Sequence, residues 1–404
     1  MLLPGTETPV IAAGARTAIG RAFKGSLRDT TAMELAEVVV EEVRRRSGLA
    51  PALVDDVILA ESNYGGGDIA RHAAVTAGMP QVPGQAVNRH CAGSLTAVGN
   101  AAAAIASGAE RAIVAGGTQS SSTSPLQRFR VPGTVEEFEE GWMPPTHPDS
   151  PAASNRDMSL TVGWNTAQEV GISRAEMDAW AARSHQRAVA AIDAGRFEEE
   201  IVPVQALGAD GSRAAFTTDE HPRRGSTAEQ LAELRVLHPE IEGFSITAGN
   251  AAGINDAAAA VMVVGGSFAR EQGLTPLARV PAWASTAIEP ARTGLAVLDV
   301  IPKVLHRAGL EIGDVALWEI NEAFASVPVA ACKKLGIDEA RVNTSGSGCS
   351  LGHPVAASGA RMIVTLVHEL RRRGGGRGVA AMCAGGGQAG AVVVEVPSDG
   401  RPAV

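Results

Sequence analysis

The chain has 404 residues, 45% hydrophobic and 20% charged, which supports two or three domains with sizeable cores and excludes disordered and fibrous classes. A net charge of -9 argues against nucleic acid or an anionic membrane as the main partner, while leaving room for a local basic pocket. Cys91, Cys332, Cys349 and Cys383 lie far apart with no Cys-x-x-Cys pair, a spacing that suits free thiols in a reducing compartment better than a disulfide framework or a zinc site.

The first ten residues carry no basic segment ahead of an apolar core, and the longest strongly apolar run, Ala257–Val264, is too short to span a bilayer. The final residues, Arg401 to Val404, match no lipidation or peroxisomal signal. A cytoplasmic protein is expected.

In chain order, Val10–Ala13 reads as a strand, followed by a polar loop to about Thr31. A helix is expected over Ala32–Arg46, where Leu35, Val38, Val39 and Val43 recur at helical spacing and Ser47-Gly48 ends it. Val57–Ala60 and Arg111–Gly117 read as buried strands, so an α/β unit with a largely parallel sheet is expected. Between them, Val87-Asn-Arg-His-Cys91-Ala-Gly-Ser94 leads into the small, apolar run Leu95–Ser107, a buried helix with Cys91 at its N-terminal end. Unpaired N–H groups and the helix dipole there favour a thiolate nucleophile; the alternative is a small buried cysteine packing as an apolar residue.

From about Ser120 the chain turns polar and proline-rich, and residues 120–243 read as an inserted subdomain holding one clear helix, Ser173–Ala194, capped by Ser173 and closed at Gly195. Buried-type sequence returns over Ile246–Gly265. Three matches in the same order relate the halves: Val43–Leu49 to Val304–Leu310, Asp56–Glu61 to Asp314–Glu319, and Ala112–Gln119 to Ala381–Gln388. A duplicated α/β unit would bring equivalent loops, those carrying Cys91, Asn321, His353 and Cys383, to one crevice at the strand C-termini.

Asn321-Glu-Ala-Phe follows the strand Val315–Ile320 and is read as starting a helix, where the amide either holds a water or oxyanion or simply caps. Leu351-Gly-His353-Pro354 places an imidazole on a glycine-flanked turn open to a crevice, with Pro354 opening a helix over Val355–Arg371; a plain surface histidine is the alternative. Cys383-Ala-Gly-Gly-Gly-Gln-Ala-Gly390 ends the strand Gly378–Met382. Its glycines fit Gly-x-Gly-x-x-Gly, but a strand follows where a dinucleotide fingerprint needs a helix.

Taken together in this order and separation, Cys91, Asn321-Glu-Ala-Phe, Gly352-His-Pro and Cys383-x-Gly-Gly-Gly resemble the thiolase family. Arg16-Thr17, Asp219-Glu-His-Pro-Arg223 and Thr247-Ala-Gly-Asn-Ala-Ala-Gly-Ile-Asn-Asp256 extend the resemblance over nearly the whole chain. It implies a duplicated βαβαβαββ core in five αβαβα layers. The halves would be 1–119 with 244–270 and 271–404, and 120–243 would form a loop domain over the coenzyme A site.

The resemblance also implies that Cys91 accepts the acyl group of an acyl-CoA while His353 takes its proton. Cys383 would then deprotonate a second acyl-CoA, whose carbanion attacks the acyl-enzyme to give a 3-oxoacyl-CoA, with thiolysis as the reverse. One oxyanion site would combine His353 with a water held by Asn321, the other the N–H groups of Cys91 and Gly385. Arg223 and Arg224, or equally a solvated charge cluster, and Ala248 and Ala252 are the expected coenzyme A contacts. No permanently bound cofactor or metal is expected, only acyl-CoA substrates, with a homodimer or homotetramer as the assembly.

Four segments depart from the family. Cys91-Ala-Gly-Ser94 stands for Cys-x-Ser-Gly, and Ala252 replaces a serine. Val342–Leu351 replaces a shorter Asn-x-Gly-Gly-Ala-Ile-Ala-Leu, with Val355-Ala-Ala for Leu-Gly-Ala after the histidine, and Met158–Asn165 lacks Met-Gly-x-Thr-Ala-Glu-Asn. These changes leave the four catalytic side chains in place and alter the pocket wall, so an acyl group other than acetyl is expected. The rival readings are a ketosynthase-like condensing enzyme, against which Asn321 and Cys383 argue, and a non-catalytic acyl-CoA-binding subunit.

Overall fold

The computed structural model describes residues 7–62, 64, 68–208 and 211–398, so the terminal segments 1–6 and 401–404 considered for targeting signals lie outside the described residues. The first half supplies β1 (Pro9–Thr17), β2 (Asp56–Ala60), β3 (Gly84–Val87), β4 (Ala112–Ser120) and β5 (Asn255–Gly265). The second supplies β6 (Ala278–Ala287), β7 (Leu317–Ile320), β8 (Gly376–Ala384) and β9 (Gln388–Val396). Their order is β7-β8-β9-β6-β1-β5-β4-β2-β3, so the halves form contiguous blocks that meet where β1 runs antiparallel to β6, with Val10 opposite Arg279. The principal helices are α1 (Ala32–Ser47), α2 (Ile69–Thr76), α3 (Gly93–Ser107), α4 (Arg174–Asp193), α5 (Val297–Ala308), α6 (Ser326–Leu335) and α7 (Ser358–Arg372).

Strand alternation builds the layers. β5 is buried along its whole length. Ala258, Ala260, Met262 and Val264 face a core shared with α1 and α2, while Val261 and Val263 face another shared with α3 and α7. β9 repeats the division, with Val392 and Val394 toward α3 and α7 and Val393 toward the core of α5 and α6. The result is the expected αβαβα layering, with α3 and α7 between the two halves of the strand array; the sheet is mixed rather than largely parallel as expected, because β1, β5, β6 and β9 run antiparallel to their neighbours. α3 is accordingly apolar nearly all round, whereas α1 buries only Ala32, Leu35, Ala36, Val39, Val40, Val43 and Ser47. A Thr31–Glu34 capping box starts α1, and Gly48 in the left-handed region ends it.

The first two internal sequence matches fall on equivalent elements: α1 and α5 both end on a left-handed glycine, and β2 and β7 each pair in parallel with their neighbour. The third relates equivalent strands out of register. Leu59 lies opposite Gly116 and Leu317 opposite Gly378, so Gly116 corresponds to Gly378 rather than to Gly385. Small residues recur along both strands beneath the buried helices, and the match followed composition.

Within the insertion, α4 begins at the expected Ser173, which forms a capping box with Glu176. This segment joins the sheet through a parallel pairing of Ile201–Val202 with Arg16–Thr17 and through an ion cluster whose side chains are fully buried. Arg16 donates through Nη1 and Nη2 to Asp219 at 2.8 and 2.9 Å and through Nε to Glu200 at 2.7 Å. Asp219 also accepts the Ile19 N–H. The motif beginning at Asp219 therefore opens with a structural anchor. All four cysteines are free thiols, and among the described residues no helix is long and apolar enough to cross a membrane.

Removing one partner of a fully buried ion pair strands the other charge, at about 3–5 kcal/mol. Asp219→Ala is therefore expected to lower the unfolding free energy by that order in urea titrations, and loosening of 120–243 should appear as faster limited proteolysis.

Candidate active site

β3 ends at Val87, and a short turn delivers Cys91 to the start of α3. Asn88 Oδ1 accepts the His90 N–H at 2.9 Å, and Ala92 and Gly93 donate back to the carbonyls of Arg89 and His90. His90 takes a φ of 45°, a conformation costly for a residue with a Cβ and here imposed by the turn.

The reversed Gly93-Ser94 order has a steric and a hydrogen-bonding reason. A Cβ on Gly93 would lie 2.8 Å from the Ala60 Cβ, and Ser94 Oγ accepts the Ala360 N–H at 3.0 Å in the first turn of α7. Burial pushes the Cys91 thiol up to about 11, although its own N–H and that of Gly385 bond the sulfur and pull the other way. The expectation of a thiolate at rest is thus corrected: desolvation outweighs the helix start, and a base must take the proton.

Cys383 lies inside β8, which runs past the expected Met382 to Ala384 because its ladder with β9 continues to the Ala384–Gln388 pair. Its thiol is buried and raised well above the ordinary range, first by burial and then by the neighbouring Cys91. Gly386 and Gly387, at φ of 78° and 75°, make the turn between the strands. The Gly387 N–H donates to Thr293 Oγ1 at 2.9 Å. Thr146 of the insertion packs so closely on Gly386 that a Cβ there would lie 2.7 Å from the Thr146 Cβ.

Asn321 does not begin a helix. β7 stops at Ile320 and α6 starts at Ser326, because the intervening segment is bonded elsewhere. Glu322 accepts from Trp180, Ser184, Asn343 and the Cys349 N–H, while the Ala325 N–H donates to Asn250 O and Ala323 O accepts the Ala252 N–H. The Asn321 N–H donates to Ala381 O at 3.0 Å, fixing the residue beside the Cys383 strand.

His353 is 8% exposed, so the expectation of an open turn is corrected as well. Its N–H donates to Asn255 Oδ1 at 3.1 Å and its ring lies 3.4 Å from Asn321 Nδ2, while Nδ1 meets Ser358 Oγ at 2.6 Å. Pro354 does not open α7 directly. Its carbonyl accepts the N–H groups of Ala357 and Ser358 in a turn that precedes the helix at Ser358. Burial, followed by Arg361, lowers the His353 ring to about 4, which leaves it neutral at pH 7. Asn321 Oδ1 is buried without a hydrogen-bond partner among the described residues.

Two groupings emerge, Cys91 with Cys383 and Gly385, and His353 with Asn321. The Asn321–Ala381 bond and the Ser94–Ala360 bond connect them. The expected coenzyme A contacts are more scattered. Arg224 is exposed and paired with Asp193 at 2.6 and 2.8 Å, and the Arg223 N–H donates to His185 Nδ1 at 3.1 Å while its side chain is exposed. Ala248 sits exposed on a turn, and Ala252 is tied to the Asn321 segment. Sequence reasoning missed His90, Asn255, Glu322 and Ser358 as builders of this region. Only Ser358, five residues beyond a flagged histidine at a helix start, carried a local signal.

Residues 9–267 match the family model "Thiolase, N-terminal domain" and residues 274–396 match "Thiolase, C-terminal domain". Among curated relatives, an acetyl-CoA acetyltransferase of Pseudomonas aeruginosa is 40% identical over 94% of this chain and 97% of its own. A beta-ketoadipyl-CoA thiolase of the same organism is 39% identical over the same shares. Crystal structures of the Bacillus anthracis acetyl-CoA acetyltransferase (35% identity) and human mitochondrial 3-ketoacyl-CoA thiolase (31%) each superpose with a TM-score of 0.88, covering 97% of this chain and 99% of theirs. The fold and the full-length matches define an acyltransferase of the condensing and thiolytic type. The chain belongs to the thiolase family.

Gly93→Ala forces a Cβ into Ala60 and is expected to cost about 1–3 kcal/mol of unfolding free energy by urea titration. Acid should also destabilise the fold. His185, His221 and His353 are each lowered from 6.5 to about 4, mainly by burial, so between those values the unfolded chain binds more protons and stability falls as pH falls. Glu319, pushed up to about 7 by burial, opposes this over part of the window, but three groups outweigh one. The urea midpoint at pH 5 is expected to lie below that at pH 7.

Proposed function

We propose that this protein is an acyl-CoA C-acyltransferase working through a Cys91 acyl-enzyme. The observation that carries the reading is the Gly385 N–H directed at the Cys91 sulfur, with Cys383, two residues earlier at the end of β8, close enough to feel the Cys91 charge. His353, neutral at pH 7, takes the Cys91 proton as the sulfur attacks the thioester carbonyl. The N–H groups of Cys91 and Gly385 hold the oxyanion, and the bond to the coenzyme A sulfur breaks. The departing coenzyme A sulfur takes the Cys383 proton, and the Cys383 thiolate then removes the α-proton of a second acyl-CoA, whose enolate oxygen is held by protonated His353 and a water on Asn321. Its carbon attacks the acyl group, Cys91 leaves and regains its proton from His353, and a 3-oxoacyl-CoA forms; thiolysis is the reverse. No atom changes oxidation state and the protons pass among Cys91, His353, Cys383 and the substrates, so the proposed reaction calls for no resident cofactor or metal.

Residues 120–243 form the loop domain over coenzyme A in this reading, with Arg223 and Arg224 meeting phosphate and Ala248 and Ala252 lining the tail. The packing of Thr146 on Gly386 supports that placement. The protein works as a cytoplasmic homodimer or homotetramer.

The acyl group is one larger or more branched than acetyl, and a local feature supports this. Met158–Asn165 has one residue more than the family's seven-residue Met-Gly-x-Thr-Ala-Glu-Asn. The extra residue is absorbed as a π-helix, Ser159–Trp164, in which the Asn165 N–H reaches back five residues to Leu160 O. This widened turn meets the segment after Asn321 directly and the Cys383 loop through the turn that carries Thr293. Ser326 Oγ donates to Gly163 O at 2.9 Å, and a Cβ on Gly163 would lie 2.9 Å from Phe324 Cδ1. On its other side, a Cβ on Gly294 would lie 2.0 Å from Thr166 Oγ1, next to the Thr293 that holds Gly387.

Incubation with a panel of acyl-CoAs followed by intact-mass measurement tests the proposal. A thioester adduct should form on the native protein and on Cys383→Ala, be absent from Cys91→Ala, and accumulate more from longer or branched donors than from acetyl-CoA. An adduct persisting on Cys91→Ala would overturn the nucleophile assignment, and acetyl-CoA as the preferred donor would overturn the specificity.

A further inference from the structure

The turn that joins β8 to β9 is Gly385-Gly386-Gly387, three residues without side chains, and its first N–H is the donor directed at the Cys91 sulfur. With nothing to wedge it in place, such a turn is positioned by what its peptide groups bond. Gln388 Nε2 donates to Gly385 O at 3.0 Å, a bond within the hairpin itself. The Ile288 N–H donates to Gly387 O at 2.8 Å, just past the Ala287–Gln388 pair at the end of the β6–β9 ladder. The Gly387 N–H points out of the ladder and meets a side chain, Thr293 Oγ1, at 2.9 Å.

Thr293 is well placed to hold that N–H. It is fully buried, and it donates its hydroxyl hydrogen to Pro290 O at 2.6 Å, which leaves a lone pair free to accept from Gly387. Its backbone is backed by tight packing, since a Cβ on the neighbouring Gly294 would lie 2.0 Å from Thr166 Oγ1. Gly387 is equally confined, because a Cβ there would lie 2.1 Å from Ile288 O. The Ala384–Gln388 pair thus fixes one end of the turn and Thr293 the other, with the Gly385 N–H held between two anchored points. Gly385 itself is packed less closely, a Cβ on it lying 3.6 Å from His90 Cγ, so contact alone does not set its tilt. Without the hydroxyl, the Gly387 N–H would be buried with no partner, and a turn of glycines moves readily to find one.

We propose that Thr293 is a positioning residue for acyl transfer, whose hydroxyl anchors the Gly385–Gly387 turn and so sets the Gly385 N–H where the thioester oxyanion forms. The inference rests on the acyl-enzyme reading above. Thr293→Val removes the hydroxyl at nearly constant volume, and Thr293→Ser keeps it. In single-turnover acylation of Cys91 read by intact mass, Thr293→Val is expected to react about 10²-fold more slowly than the native protein, the scale of a misplaced oxyanion donor, with KM for acyl-CoA changed less than about twofold. Thr293→Ser should recover most of that rate. Alkylation of Cys91 by iodoacetamide, followed at its peptide, passes through no carbonyl oxyanion, so Thr293→Val should slow it at least about tenfold less than acylation. A native-like acylation rate in Thr293→Val, no recovery in Thr293→Ser, or equal losses in acylation and alkylation would overturn the proposal. Native protein that no donor acylates would overturn the acyl-enzyme reading and this assignment with it, and because that is read on the native protein alone, the two failures are distinct.

Discussion

Helix α7 is buried from Ser358 to Leu370 and α3 is buried except along an edge at Asn100, Ala103 and Ser107, so the unpaired N–H groups of their first turns find partners within the protein. Ser94 supplies one of them by accepting the Ala360 N–H, and Leu95 meets Gly359, where a Cβ would come within 2.7 Å of the leucine. The two helix starts are therefore locked side by side. Cys91 enters one and the His353 turn enters the other, so the convergence of both loops follows from how buried helix ends are satisfied. The exchange of glycine and serine after Cys91 belongs to the same contact, since Gly93 yields space to Ala60 while Ser94 reaches across.

Burial then sets the charge state of the site. The two thiols are raised and the His353 ring is lowered, each chiefly by desolvation, so the resting site is uncharged at neutral pH. Charge would appear only as a proton leaves Cys91, within an environment whose low dielectric strengthens every N–H directed at it. A neutral histidine beside an un-ionised thiol suits a base that acts when substrate arrives better than a stable ion pair.

Residues 120–243 are bound to this frame through buried polar groups. Arg16 holds Asp219 and Glu200, while Glu322 gathers Trp180 and Ser184 of α4 together with Asn343 and Cys349. Each is a site where a lost partner would leave a buried charge. The π-helix Ser159–Trp164 joins the same frame, since Ser326 Oγ at the start of α6 donates to Gly163 O.

Composition and periodicity were enough to locate β1, β2, β4, β7, β8, β9 and α1, α3 and α4 to within a few residues, because alternation, helical spacing and Thr, Ser and Gly caps act locally, whereas β3, β5 and β6 were not marked as strands. The motifs around Cys91, Asn321, His353 and Cys383 were legible for the same reason, as was the duplication, through short matches kept in order. Tertiary structure decided what local pattern cannot encode. Asn321 stays out of a helix because Glu322 is claimed by residues from distant segments, and His353 is enclosed because Asn255 and Ser358 close around it. Burial raises the Cys91 thiol by more than the N–H groups of Cys91 and Gly385 lower it, and that balance depends on the surrounding strands and helices rather than on the helix start alone. The register of the third repeat was illegible because alanine and glycine recur along both strands, and only the ladder hydrogen bonds say which residue faces which.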